Sequence, residues 1–206
     1  MADLGPRPHE ANRSAIESLV ATILSQNTSR ANSTAGLRQL KREFPSWSAV
    51  ANAPVADIER CIRVSGLSRV KAPRIKRLLG SLRERAGGRA PSLAFLARRG
   101  DREAYEFLLS LDGLGPKSAA CVLLFGLGRR VFPVDTHIRR IAIRLSLLPQ
   151  GTSAERAQEE LGPLISPPDR YEMHVLLIEL GRRICQARTP NCPFCPLRDL
   201  CPTGKE

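Results

Sequence analysis

The sequence predicts an all-α protein on three observations. Apolar residues recur at helical spacing through most of the chain, caps and prolines punctuate that pattern, and only Val131-Phe132-Pro133-Val134 has strand character. Pro133 and the shortness of that segment make it a connector. The first helix spans residues 14–26: Ser14-Ala15-Ile16-Glu17 has the capping-box form, and Ile16, Leu19, Val20, Ile23 and Leu24 follow on one face. Leu37, Leu40 and Phe44 form a second stripe stopped by Pro45, and Val55, Ile58 and Ile62 form a third after Pro54. Proline is tolerated in a first helical turn, so Pro73 places the start of the helix carrying Ile75, Leu78, Leu79 and Leu82 near Lys71, with residues 64–69 an exposed loop before it. A short helix over 103–110, a glycine turn and a helix over 116–125 come next, and further helices are expected over 135–147, 153–161 and 169–180.

The 206 residues carry 32 Lys+Arg against 20 Asp+Glu, a formal charge of +12, and are 42% hydrophobic. That length suits one large domain or two small ones. The longest apolar stretch, Cys121 to Leu127, falls far short of the roughly 20 residues that cross a bilayer, and Met1 to Pro8 has no secretory pattern. A cytoplasmic, nucleoid-associated protein with no membrane partner is expected. Such a charge favours a polyanion, because clustered Lys and Arg release the counterions condensed on phosphate. Only 4% of residues are aromatic, which favours duplex backbone contact over single-strand stacking. The most one-sided charge runs from Arg69 to Glu103 and includes Lys71, Arg74 and Arg77; it reads equally as a solvated face or as direct DNA contact.

Leu111-Asp112-Gly113-Leu114-Gly115-Pro116-Lys117 reads as a hairpin between two helices. Gly113 and Gly115 permit positive φ and close approach of another backbone, and the second helix offers unpaired N–H groups to an anion. A DNA phosphate is the natural ligand; an ordinary two-helix turn is the plainer reading. Lys117 lies in the first turn of the second helix, where the positive end of the dipole favours the neutral amine that a nucleophile needs. It also reads as a surface lysine pairing with phosphate. Asp135, eighteen residues on in Val134-Asp135-Thr136-His137, reads as a helix N-cap or as a carboxylate that handles protons and stabilises a cationic sugar. Together the two point to chemistry at a nucleotide.

Cys185, Cys192, Cys195 and Cys201 stand at spacings of x6, x2 and x5 among Pro190, Pro193, Pro196 and Pro202. Four thiols in so short a run make a metal site. One short and two longer spacings suit a cubane cluster and leave zinc open. Cys61 and Cys121 lie on apolar helix faces and read as core residues.

These residues resemble a known family, the endonuclease III branch of the helix-hairpin-helix DNA glycosylases. Leu111 to Ala119 looks like the family hairpin with its catalytic lysine, Val134 to His137 like its catalytic aspartate segment, and Cys185 to Cys201 has the spacing of its [4Fe-4S] loop. Ile23 to Thr28 and Ser65-Gly66-Leu67 also resemble family segments, where Gln26 and Leu67 match residues that fill the gap left by a flipped base. The resemblance runs from about Ser14 to Cys201. Two departures stand out: Pro116 occupies a place commonly basic, and Leu67-Ser68-Arg69-Val70 lacks the aromatic and amide side chains often found after the leucine.

The resemblance implies two helical lobes flanking a DNA-binding groove. Residues 14–130 would form a helical barrel domain, and residues 1–13 with 131–206 a cluster domain carrying the [4Fe-4S] loop at 185–201. It further implies a monomer that acts on double-stranded DNA containing damaged bases or abasic sites, removing oxidised pyrimidines. Lys117 would attack the sugar C1′ of an extruded nucleotide, Asp135 would assist base departure, and the resulting Schiff base would permit β-elimination. Gly113 and Gly115 would hold phosphate, and His137 would orient Asp135, contact a phosphate, or merely pack. Two rival readings are a monofunctional mismatch or deaminated-base glycosylase using water activated by Asp135, and a non-catalytic damaged-DNA binder.

Overall fold

The computed structural model describes residues 14–204; the expected contribution of residues 1–13 to a cluster domain lies outside them. No strand occurs among the described residues, and the all-α expectation holds. No helix among them is long and apolar enough to cross a membrane. The chain divides into two compact units at Arg129/Arg130.

In the first unit, α1 (Ala15–Ser25), α2 (Arg30–Glu43), α3 (Trp47–Asn52), α4 (Val55–Ile62) and α5 (Ser68–Arg85) surround a core that includes Leu19, Ile23, Leu40, Ile58, Ile75 and Leu79, all with no exposure. The cap expected at Ser14 is present and is joined by two more: Ser14, Ser29 and Ser46 each accept the backbone N–H three residues on, at 3.2, 3.2 and 3.1 Å. Helix α1 packs on α2 and α5, α2 on α4, and both α3 and α4 on α5.

Helix α5 differs from expectation. It starts at Ser68 rather than Lys71, because Leu67 turns left-handed (φ 50°) and its carbonyl accepts from both Val70 N and Lys71 N. Pro73 therefore sits inside the helix, where it forgoes the hydrogen bond to the Arg69 carbonyl. The expected exposed loop before it is also only partly so: Ser65 is fully buried, while Val64 and Leu67 are exposed.

Helices α6 (Asp101–Leu109) and α7 (Pro116–Cys121) flank the hairpin. The expected α-helix to Phe125 instead widens into a π segment, Val122–Gly126, marked by the bond from Leu127 N to Val122 O. Cys61 and Cys121 are buried, as expected of core residues.

The second unit contains α8 (Thr136–Arg144), α9 (Ala154–Leu161) and α10 (Arg170–Arg183) around Phe132, Val134, Ile138, Ala142, Leu148, Ala157 and Leu161. Helix α8 stops short of the expected Leu147 because Ser146 is left-handed (φ 58°) and Leu147 N turns back to Ala142 O. The connector before α8 is extended without a sheet. Gln158 takes the place of a neighbouring strand, donating Nε2 to Phe132 O and accepting Val134 N at 2.8 Å. His174, buried, donates Nδ1 to Pro133 O at 2.8 Å.

Candidate functional site

The hairpin joining α6 to α7 needs one glycine for its shape. Gly113 has φ 78°, and a Cβ there would lie 2.2 Å from Arg74 Nε. Gly115 is different from the sequence expectation of positive φ: at φ −93° and ψ −179° it is the extended N-cap of α7, open to any residue. A Cβ on Gly115 would meet nothing of the protein within 4 Å. Lys117 follows as the second residue of α7, half-buried.

Gln26 lies directly after α1 and is folded back on this hairpin. Its Nε2 donates to Gly113 O at 2.9 Å and reaches Ser118 Oγ at 3.5 Å, while its Oε1 accepts Arg74 Nη1 at 3.3 Å. Arg74 Nε is buried without a hydrogen-bond partner. Arg77 donates to Asp112 Oδ2 at 2.7 Å, and that bond, with help from the Arg74 charge, holds the Asp112 carboxyl below the usual carboxylate range. Leu67 stands apart from this network, 54% exposed at the left-handed start of α5. A side chain of that size in that conformation is strained and solvated at once, a combination that folding alone does not favour.

In the second unit Asp135 caps α8, its Oδ1 accepting Ile138 N at 2.8 Å. The capping role read from sequence is thus present. His137, in the first turn of α8, packs against α10: a Cβ on Gly181 would fall 2.6 Å from His137 Cβ. Its Nδ1 accepts Arg140 Nη2 at 3.1 Å, and the same Arg140 nitrogen donates to Gly181 O and Cys185 O at 2.8 and 2.6 Å. His137 is thus packed against α10 and held by Arg140.

Cys185, Cys192, Cys195 and Cys201 line one pocket together with Arg144, Ile184 and Pro190. Short 3-10 turns, Cys192–Phe194 and Arg198–Leu200, carry the loop around it. Arg144 Nη1 donates to Cys185 Sγ at 3.1 Å and to Gln186 O at 2.7 Å, and Cys201 Sγ donates to Arg144 O at 3.4 Å. Burial, and after it the other three thiols, push the Cys195 thiol up. Among the described residues, no three His, Cys, Asp or Glu side chains converge on a single ion position.

A family model described as the HhH-GPD superfamily of base excision DNA repair proteins matches residues 20–167. The chain belongs to that superfamily. This HhH-GPD protein is 34% identical to endonuclease III of Thermotoga maritima over 89% of its own length and 80% of the relative's. It is 31% identical to endonuclease III of Sulfolobus acidocaldarius, over 92% and 82% of the two chains. A candidate DNA glycosylase of Arabidopsis thaliana is 36% identical over 87% of this chain, which spans 59% of that relative. Among solved structures, a non-covalent endonuclease III–DNA complex superposes with a TM-score of 0.81 at 29% identity, over 97% of this chain and 88% of the other. The HhH-GPD protein is thus a base excision DNA glycosylase by family, and the resemblance to endonuclease III read from its motifs stands.

Of the residues singled out from sequence, the first unit brings Gln26, Gly113 and the segment leading to Lys117 together, and the second brings the four cysteines together. Sequence reasoning missed Arg140 and Arg144, which reach groups more than forty residues on, and read Arg74 only as part of a charged stretch. It also counted Lys71 with a charged stretch read as solvated or on DNA, whereas Lys71 is buried.

Proposed function

We propose that this glycosylase is bifunctional, excising damaged pyrimidines, oxidised ones first, from duplex DNA and then nicking the strand as an abasic-site lyase. The observation that carries the reading is the hairpin of a family member ending in Lys117 on the first turn of α7, with a Gly115 that the protein's own conformation and packing do not require. The N–H groups at the start of α7 make a DNA phosphate the fitting occupant.

In the proposed mechanism the damaged nucleotide is rotated out of the stack, and the exposed Leu67 side chain enters the space it leaves. Gln26 exchanges its bonds to Gly113 and Arg74 for the unpaired base opposite. The neutral Lys117 Nζ attacks C1′; the C1′–N bond breaks, and the base leaves with its electron pair and takes a proton. The carboxylate of Asp135, already fixed by Ile138 N, stabilises the cationic sugar and relays protons. The C1′ adduct opens its ring to an imine on Lys117, loss of a C2′ proton expels the 3′ phosphate, and water releases the lysine.

The chemistry of the donor set fits a [4Fe-4S] cluster held by Cys185, Cys192, Cys195 and Cys201. The four thiols lining one pocket would hold the cluster as thiolates. Bound there, it would supply a covalent tie for a loop with little core of its own. Arg144 directs an N–H at Cys185 and holds the loop through Gln186 and Ala187 carbonyls.

Borohydride trapping on duplexes containing an abasic site or an oxidised pyrimidine tests the proposal. Wild type is expected to be captured covalently and Lys117→Ala not, with duplex affinity kept. Base release without capture by wild type overturns the lyase mechanism in favour of water activated by Asp135. Tight binding with no turnover across lesions overturns both.

A further inference from the structure

Lys71 is 1% exposed, the largest fully buried side chain among the described residues. Its ammonium has no carboxylate partner among them. Instead Nζ donates to two main-chain oxygens, Leu24 O and Ser65 O, each at 2.8 Å. Both carbonyls belong to helical C-termini: Leu24 to the last turn of α1, and Ser65 to the 3-10 turn Arg63–Ser65. Such carbonyls lack intrahelical partners and sit at the negative end of the helix dipole, so one cation caps two helix ends at once.

The positions of those carbonyls are decisive. Leu24 is two residues before Gln26, and Ser65 is two residues before Leu67. Just beyond each grip the backbone turns left-handed, at Asn27 (φ 51°) on one side and at Gly66 (φ 66°) and Leu67 (φ 50°) on the other. The Ser65 side is itself held, its Oγ donating to Asn32 O at 3.3 Å and seated against Gly36, where a Cβ would lie 2.1 Å away. A structural core position is served as well by an apolar side chain and at less cost, since burying an ammonium forfeits its hydration. Desolvation accordingly lowers the Lys71 pKa.

We propose that Lys71 is a positioning residue for base extrusion: its ammonium, by holding the carbonyls before Gln26 and before Leu67, fixes the spacing of the two side chains that enter the duplex. The inference rests on the reading of Gln26 and Leu67 as inserting residues. Lys71 touches neither DNA nor Lys117; it acts through the two loops.

The test compares full-length wild type with Lys71→Met, close in length and apolar. Extrusion is read by the fluorescence of 2-aminopurine placed beside an abasic-site analogue in a duplex, and chemistry by borohydride trapping on a single-stranded abasic oligonucleotide, which needs no insertion. Lys71→Met is expected to lose roughly tenfold to a hundredfold in the extrusion rate at saturating protein, as a small misplacement does elsewhere, while single-strand trapping stays within about twofold. In a Gln26→Ala/Leu67→Ala background the same substitution is expected to cost nothing more. An unchanged extrusion rate, an equal loss on single strands, or an undiminished loss in that background overturns the proposal. If Lys71→Met does not fold, Lys71→Gln, which keeps an N–H donor, is held to the same outcomes. A wild type that traps on no strand refutes the lyase reading, and the 2-aminopurine signal, which requires no chemistry, still decides for or against Lys71.

Discussion

Gly113→Ala and Gly115→Ala separate what the hairpin needs to fold from what it needs to bind. At Gly113 (φ 78°) an alanine adopts the left-handed region at a cost of about 1–2 kcal/mol. Its Cβ collides with Arg74 Nε, Cζ and Cδ at 2.2 to 2.5 Å, and moving that side chain breaks its bond to Gln26, worth about 1 kcal/mol. The total, roughly 2–3 kcal/mol, corresponds to a melting temperature lowered by about 4–12 °C for a chain of this length. At Gly115 the backbone is extended and the space empty, so only the weaker N-capping of alanine counts, and reduced freedom in the unfolded chain offsets it to within about 0.5 kcal/mol. Thermal melting and fluorescence anisotropy on a duplex with an abasic-site analogue, at one fixed salt concentration, read both quantities. Gly115→Ala is expected to melt with wild type and bind at least about tenfold more weakly, a difference of about 1.4 kcal/mol. A Gly115→Ala protein that binds as wild type, or melts as low as Gly113→Ala, refutes the reasoning.

The buried lysine and the cysteines lead to two further outcomes. Because burial lowers the folded-state pKa of Lys71 below the ordinary 10.5, the unfolded chain holds a proton that the folded chain has released between those two values. The stability of wild type relative to Lys71→Met is therefore expected to rise with pH in that window and to be lost again as pH falls through the folded pKa; denaturant melts of both proteins up to pH 10.5 check it, and a flat or falling difference refutes it. Anaerobically purified protein is expected to be yellow-brown with about four irons per chain, and Cys192→Ser to lose most of that iron and absorbance; zinc in place of iron overturns the cluster.

Much of the fold was legible because its signals are local. Ser14, Asp135 and Ser153 open helices by accepting N–H groups three residues on, and periodic apolar residues mark the faces they bury; the same caps at Ser29 and Ser46 were not read. The start of α5 was not legible, since it depends on a leucine in the left-handed region, which no propensity favours. Gly115 was expected to use positive φ, but its φ is ordinary and the space beside it is open. Lys71 shows the limit most plainly. Sequence placed it among arginines on a charged stretch, but Arg69 and Arg77 on the same helix face solvent while Lys71 points to two carbonyls 47 and 6 residues away in the chain. The cysteine spacing was legible, and Arg144's hold on that loop, made largely to main-chain oxygens about forty residues on, was not.

The π segment after α7 bears on how such a chain tolerates changes in length. Val122–Gly126 accommodates one residue more than an α-helix needs for the same rise, with Leu127 N reaching back to Val122 O. Deleting one residue within it lets ordinary i→i−4 bonding resume, leaving the Lys117 turn upstream in register and drawing in the strand-like connector downstream. The surplus residue is a place where a one-residue deletion can be absorbed without disturbing the hairpin upstream.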